Sequence, residues 1–210
     1  MIVRLWAIAL LLLAALTPSA AGAMDFRLLQ TGKHQRAVLA KGVIEPGDAV
    51  LLAAALDLAT RDRTGTKRLL LDSPGGVVAE AFAMADVMDR VGVTTVVPAK
   101  ALCGSACASV LFVSGKYRVV EKGGELAVHS CYDARNGRQM EDCNAVIAAH
   151  AQYEGSSGVA MMALQQAAGP RAAFVFDNAS AACFGLTRAP GRRASAPCLE
   201  AAMRAAHRRR

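Results

Sequence analysis

A serine and a histidine stand in positions from which they could together perform nucleophilic chemistry. Ser105 follows a glycine at a predicted strand-to-helix turn, where a hydroxyl is exposed, and His129 directly follows the apolar run 126–128. A neutral imidazole can accept a serine proton, so the sequence predicts Ser105 as the nucleophile and His129 as the general base. The alternatives are a helix N-cap for the serine and a purely structural role for the histidine.

A glycine pair supplies the third chemical requirement, a pocket that stabilises negative charge. Gly75 and Gly76 follow the apolar run 69–71 through Asp-Ser-Pro, and a glycine lets the backbone approach a substrate closely. The amides of Gly75, Gly76 and Ala106 are therefore predicted to form an oxyanion hole. The alternative is that the two glycines only shape a turn that the fold needs.

The elements that must position these groups follow from periodicity and from the positions of Gly and Pro. Each chemical group comes at the end of an apolar run, which is where open parallel sheets place their sites. The prediction is an α/β domain with helices at 48–60, 77–90, 105–113 and 142–168, the last interrupted by 155–158. Strands are predicted at 26–29, 37–44, 67–71, 93–97, 117–120 and 125–129. In the first helix Asp48 is the predicted cap, and the apolar face is Val50, Leu51, Ala54 and Leu58.

The order of the motifs resembles a known family. Leu-Asp-Ser-Pro-Gly-Gly, then Gly-Ser-Ala about thirty residues on, then Val-His about two dozen residues later, is similar to the Clp-type serine proteases, and most similar to secreted Clp-like proteins of bacteria. The resemblance spans roughly residues 37–187. It implies the Clp/crotonase fold, a spiral of strand-strand-helix units, with a Ser-His-Asp triad and a peptide or protein substrate. Clp-type relatives form rings and crotonase relatives form trimers, so a homo-oligomer is also implied.

The third triad member is where the sequence departs from the family pattern. The matching place falls near Ala172, in an apolar stretch, and Asp177 is the only acid between Glu154 and Glu200. Asp177 is therefore assigned as the group that orients His129, with Asn178 as the alternative. Ser109 is an alternative match for the nucleophile, but it lies one turn into an apolar helix and is expected to be buried.

The two ends of the chain indicate export and a basic tail. Residues 1–23 read as a signal peptide cleaved after Ala23, with a membrane anchor at 5–16 as the alternative, so the location is periplasmic or secreted. The net charge is +7, yet residues 24–187 contain sixteen basic and sixteen acidic residues. The excess lies mainly in the tail, 188–210, which is either solvated or in weak contact with membrane lipid or cell-wall polymer. No nucleic-acid partner is predicted.

Six cysteines in an exported chain indicate disulfides. The predicted pairs are Cys131 with Cys143 and Cys183 with Cys198, with Cys103 and Cys107 as the third. The third pair is the weakest prediction, because two cysteines four apart within a helix have poor disulfide geometry. A zinc site is disfavoured, since no second close pair and no suitable histidine spacing accompany them.

Two functions from different classes follow. The first is an exported serine hydrolase, a Clp-like peptidase; the second is a non-catalytic periplasmic binding or assembly protein that retains the fold. A crotonase-type acyl enzyme is discounted, because coenzyme A is not expected outside the cytoplasm. No cofactor and no metal are predicted.

Overall fold

The computed structural model describes residues 24–133, 135–169, 171–191 and 196–207. The predicted signal peptide lies outside these ranges, as do several arginines of the tail. The strands are β1 (Asp25–Gly32), β2 (Gln35–Lys41), β3 (Lys67–Asp72), β4 (Val93–Val97), β5 (Leu102–Gly104), β6 (Tyr117–Val120), β7 (Glu125–Val128) and β8 (Phe174–Phe176). The helices are α1 (Asp48–Leu58), α2 (Val78–Val91), the π-helix α3 (Cys107–Phe112), α4 (Glu141–Tyr153), α5 (Gly158–Ala168), α6 (Asn178–Cys183) and α7 (Pro197–His207).

The larger sheet has the strand order β1-β2-β3-β4-β6. β1 pairs antiparallel with β2, and the other neighbours are parallel. Every residue of β4 is buried, as expected for a β-branched run in the centre of a parallel sheet. Helices α1 and α2 connect successive parallel strands, so the carboxyl ends of β2, β3 and β4 meet at one edge.

A second, smaller sheet continues from that edge. It has the order β5-β7-β8, and isolated bridges between Ile44 and Gly76 and between Ser73 and Cys103 extend the pairing toward it. The chain thus leaves the larger sheet after Asp72, and the next residue, Ser73, forms a bridge with Cys103 of the smaller sheet. The predicted spiral of strand-strand-helix units is confirmed. The Ser73–Cys103 bridge places the Pro-Gly-Gly turn beside the Gly-Ser turn, where the chain passes from the larger sheet to the smaller one.

The predicted face of the first helix was wrong. In α1 the buried apolar residues are Leu52, Ala55 and Leu56, whereas Val50 and Leu58 are 73% and 57% exposed. The helix is apolar on nearly every side, so periodicity could not select the inward face. Its start also differs, because Gly47 occupies the N-cap, and the carboxylate of Asp48 accepts a hydrogen bond from the Glu45 amide at 2.7 Å.

The remaining helical predictions fit better. The helix after Ser105 is buried along its whole length, and the long alanine-rich stretch divides into α4 and α5 at 154–157. None of the described helices combines the length and apolar character needed to cross a membrane. Arg188, placed in the predicted tail, is tied to the domain: it exchanges backbone hydrogen bonds with Arg118, and its side chain donates to the Glu154 carbonyl at 2.7 Å.

All three predicted disulfides are present: Cys103–Cys107, Cys131–Cys143 and Cys183–Cys198. The objection to the first pair does not apply, because its two cysteines are not in one helix. Cys103 is the middle residue of β5 and Cys107 is the first residue of α3, with Cα atoms 5.2 Å apart. That separation lies within the usual range for a disulfide.

Candidate active site

Ser105 occupies a backbone conformation that is uncommon for a residue with a side chain. Its φ is +55°, one of only two such values outside glycine in the described residues. The strand β5 holds the turn on one side, and the Ser105 amide donates to the Ala127 carbonyl at 2.8 Å on the other. A left-handed serine between a strand and a helix is a geometry that exposes a nucleophilic hydroxyl. Ser109 is unsuited to the role, because it is 2% exposed and its hydroxyl donates to the Ser105 carbonyl.

Gly75 provides the space beside this serine. Its φ is +99°, and a methyl group added there would lie 2.7 Å from Ser105 Cβ and 2.6 Å from the Gly104 carbonyl oxygen. Its amide donates to the hydroxyl of Ser73 at 3.0 Å. The Gly75 amide is therefore already hydrogen-bonded in this structure, and its role as an oxyanion donor stays a prediction.

Gly76 joins the turn to the neighbouring strand. Its φ is +152°, and a methyl group there would meet the Ile44 carbonyl oxygen at 2.2 Å. The hydrogen bonds of this bridge run from the amides of Ile44 and Val77, not from that of Gly76. Within the described residues, neither the Gly76 amide nor the Ala106 amide donates a hydrogen bond. These two amides are therefore free to donate to a substrate oxygen.

His129 has the tautomer that a general base needs. The half-buried ring places Nδ1 2.7 Å from the Ser130 carbonyl oxygen. A carbonyl can only accept a hydrogen bond, so this contact requires a proton on Nδ1, and in the neutral ring Nε2 is then the nitrogen without a proton. In the described residues no hydrogen bond joins His129 to the hydroxyl of Ser105. Hydrogen bonds of this kind are often long before a substrate binds.

Asp177, the predicted orienting acid, has a different set of contacts. It is exposed, it is the N-cap of α6, and its carboxylate accepts from the Ser180 amide at 2.8 Å and the Ser180 hydroxyl at 2.5 Å. The Ser180 hydroxyl, then its amide, lowers the pKa of Asp177. No hydrogen bond to His129 is present, and Asn178 is an exposed first residue of α6. The Ser130 carbonyl, not Asp177, contacts the imidazole in this structure.

The serine and the histidine line one cavity. It has a volume of about 630 Å³ and is also lined by Gly75, Gly76 and the Cys131–Cys143 disulfide, but not by Asp177. Sequence reasoning missed its apolar wall, which consists of Val43, Ile44, Val77, Val78, Tyr132 and Met140. Val77 and Val78 directly follow the glycine pair, so their position could have been inferred. Tyr132 and Met140 come from the loop that the disulfide closes, whose path no sequence pattern specified.

The described residues show no cluster of three or more His, Cys, Asp or Glu side chains that could hold a metal ion. All six cysteines are in disulfides. The candidate site thus contains the half-buried Ser105, the half-buried His129 and two amides that have no partner within the described residues. These groups can bind and attack an acyl carbon.

Solved structures of Clp-type protease domains share this fold. A mutant of the membrane-bound stomatin-specific protease 1510-N matches with a TM-score of 0.58 at 15% identity, covering 71% of this chain and 75% of that one. The catalytic domain of the ClpP protease from Plasmodium falciparum matches with a TM-score of 0.53 at 16% identity, covering 69% and 78%. The chain therefore has a Clp/crotonase-like fold. No protein-family model and no curated protein matches the sequence.

Proposed function

We propose that this chain is an exported serine hydrolase, a Clp-like peptidase, that cleaves peptide or protein substrates. The observation that carries the proposal is the left-handed Ser105 at φ +55°, which lies in one cavity with His129 and the glycine pair. A strained serine at such a turn is found where function maintains it, because the conformation is otherwise unfavourable.

Each residue has one role in the proposed reaction. Ser105 attacks the acyl carbon, and its proton passes to Nε2 of His129, while the other ring proton stays on Nδ1 and donates to the Ser130 carbonyl. The amides of Gly76 and Ala106 stabilise the negative oxygen of the tetrahedral intermediate. His129 then returns the proton to the leaving amine, and water completes the reaction by hydrolysing the acyl-serine.

Export is supported by the predicted signal peptide and by the three disulfides, which persist in oxidising compartments. The apolar cavity wall favours a substrate with an apolar side chain next to the cleaved bond. Homo-oligomerisation and contact of the basic tail with a membrane or cell wall remain proposals that no contact in the structure addresses.

One observation favours the second candidate, a binding or assembly protein that retains the fold. His129 is oriented by a neutral carbonyl, and no described carboxylate takes the place of the triad acid. A site of this kind could bind an extended peptide without cleaving it.

A fluorophosphonate probe distinguishes the two candidates. The enzyme predicts covalent labelling that is lost in Ser105→Ala and falls about 100- to 10,000-fold in rate in His129→Ala. Ser157→Ala, which removes a serine hydroxyl at the N-cap of α5, is the control and should label normally. Absence of labelling in the folded wild-type protein would refute the hydrolase and leave the binding protein.

A further inference from the structure

The disulfide Cys103–Cys107 has an unusual place in the site. Its two cysteines bracket the turn Gly104-Ser105-Ala106, so the proposed nucleophile and one proposed oxyanion donor lie inside the ring that it closes. The other two disulfides close longer segments, with sequence separations of 12 and 15 against 4 here. The disulfide that closes the shortest loop therefore brackets Ser105, one of the two non-glycine residues with a positive φ in the described part of the chain.

We infer that the Cys103–Cys107 disulfide is a positioning element, which holds Ser105 in its left-handed conformation and fixes the Ala106 amide beside it. The inference rests on the proposed function, since it assigns these two cysteines a part in the same site. It concerns the backbone of the turn and not contact with substrate, so neither cysteine is a catalytic residue.

The hydrogen bonds around the turn indicate which of its groups the disulfide would constrain. The Gly104 amide donates to the Ser73 carbonyl at 2.8 Å, and the Ser105 amide donates to Ala127 at 2.8 Å, but the Ala106 amide has no partner among the described residues. The Ser105 carbonyl in turn accepts from the Ser109 amide and the Ser109 hydroxyl, both at 2.9 Å, so the Ala106 amide is the group of the turn that these hydrogen bonds do not hold. The disulfide closes a ring that contains this amide. A left-handed residue with a side chain needs such support, because it is less stable than an extended or right-handed one.

Burial and loop length separate this role from ordinary stabilisation. Both cysteines are fully buried, so the bond is shielded from reductants in the folded protein and is a permanent constraint and not a switch. The stabilising effect of a disulfide on the whole fold grows with the length of the loop it closes. By that measure Cys103–Cys107 contributes least to global stability, although it is the disulfide nearest the proposed chemistry.

Two paired variants of the full mature chain test the inference: Cys103→Ala/Cys107→Ala and, as the matched control, Cys183→Ala/Cys198→Ala. Fluorophosphonate labelling measures the site, amide hydrogen exchange of Ser105 measures the turn, and thermal melting measures the fold. We expect Cys103→Ala/Cys107→Ala to label about 10- to 100-fold more slowly, because a small misplacement of reacting groups costs that much. Exchange of the Ser105 amide should become at least about tenfold faster while that of β4 stays unchanged. The control should lose more melting temperature and keep both site properties.

The outcomes are distinct. Unchanged Ser105 exchange in Cys103→Ala/Cys107→Ala overturns the inference, whatever happens to labelling. Faster exchange of this amide alone supports it, even where the wild-type protein does not label, and in that case only the proposed hydrolase activity fails. If the alanine pair does not fold, Cys103→Ser/Cys107→Ser, which retains the side-chain volume, is measured in the same way.

Discussion

Gly47 and Gly75 have nearly equal φ angles but different surroundings. Substituting each of them with alanine therefore separates the strain of a positive φ from the effect of crowding at the candidate site. Gly75 has φ +99° and Gly47 has φ +102°, but a methyl group at Gly47 meets no atom within 4 Å. At Gly75 the same methyl group meets three atoms at 3.0 Å or less, namely the Gly104 carbonyl oxygen, Ser105 Cβ and the Ala106 amide nitrogen. Two of these three belong to backbone, which cannot rotate away.

The expected magnitudes follow from that difference. Gly47→Ala adds only conformational strain, about 1–2 kcal/mol. Gly75→Ala adds similar strain plus about 1–3 kcal/mol of overpacking, for a total of about 2–5 kcal/mol. For a domain of this size each kcal/mol lowers the melting temperature by about 2–4 °C. We therefore expect a fall of about 2–8 °C for Gly47→Ala and of about 4–20 °C for Gly75→Ala.

The two variants should differ more in activity than in stability. Well below both melting transitions, Gly75→Ala should react with a fluorophosphonate at least about 100-fold more slowly than wild type, because the methyl group displaces Ser105 or the Ala106 amide. Gly47→Ala should react at the wild-type rate. Equal melting temperatures for the two variants would refute the steric reasoning, and equal labelling would remove Gly75 from the site.

Two further predictions concern carboxylates. Burial, then the negative charge of Asp89, raises the pKa of Glu154 from its ordinary 4.5 to about 7, so the stability from this group is complete below about pH 4.5 and is lost as the pH rises through 7. After allowance for solvent at this half-buried position, the expected loss of unfolding free energy is about 1 kcal/mol. Chemical denaturation between pH 5 and 8 should show this loss in wild type and in the exposed control Glu125→Gln, but not in Glu154→Gln. An equal loss in Glu154→Gln would contradict the assignment of the pH dependence to Glu154. Asp177→Ala removes the N-cap of α6, whose carboxylate accepts two hydrogen bonds from Ser180. The variant should therefore melt a few degrees lower and keep the wild-type rate of fluorophosphonate labelling. A loss of labelling comparable to that of His129→Ala would restore Asp177 as the orienting acid.

Much of the site was predictable because its residues end apolar runs. Gly75 and Gly76 follow β3 of the larger sheet, and His129 follows β7 of the smaller sheet, as the apolar runs indicated. Ser105 follows β5, a three-residue strand that periodicity did not predict, and all four residues line one cavity. The positive φ values of the glycines agree with the reason for choosing glycine there. Periodicity failed in α1, because a helix with apolar residues on nearly all sides gives no preferred direction.

The partner of His129 was not predictable for a different reason. Asp177 was chosen because it was the only acid in the right part of the chain, and a side-chain inventory cannot include main-chain groups. Every residue has a carbonyl, so no residue type indicates that the Ser130 carbonyl faces the imidazole. The same limit applies to the free amides of Gly76 and Ala106, whose availability depends on which neighbours the fold has already paired.

The use of a carbonyl in place of a carboxylate determines what the site can do. The Ser130 carbonyl orients the ring of His129, as the acid of a triad does. Its peptide unit is held in turn, because the Cys131 amide donates to Oδ1 of Asn144 at 2.7 Å. A neutral carbonyl stabilises the imidazolium that forms during attack less than a negative carboxylate would. The carbonyl therefore orients the ring but lacks part of the electrostatic stabilisation that a carboxylate would give. For the proposed hydrolase we therefore expect a Ser105–His129 dyad with main-chain support that is slower than a full triad and depends more strongly on the Gly76 and Ala106 amides.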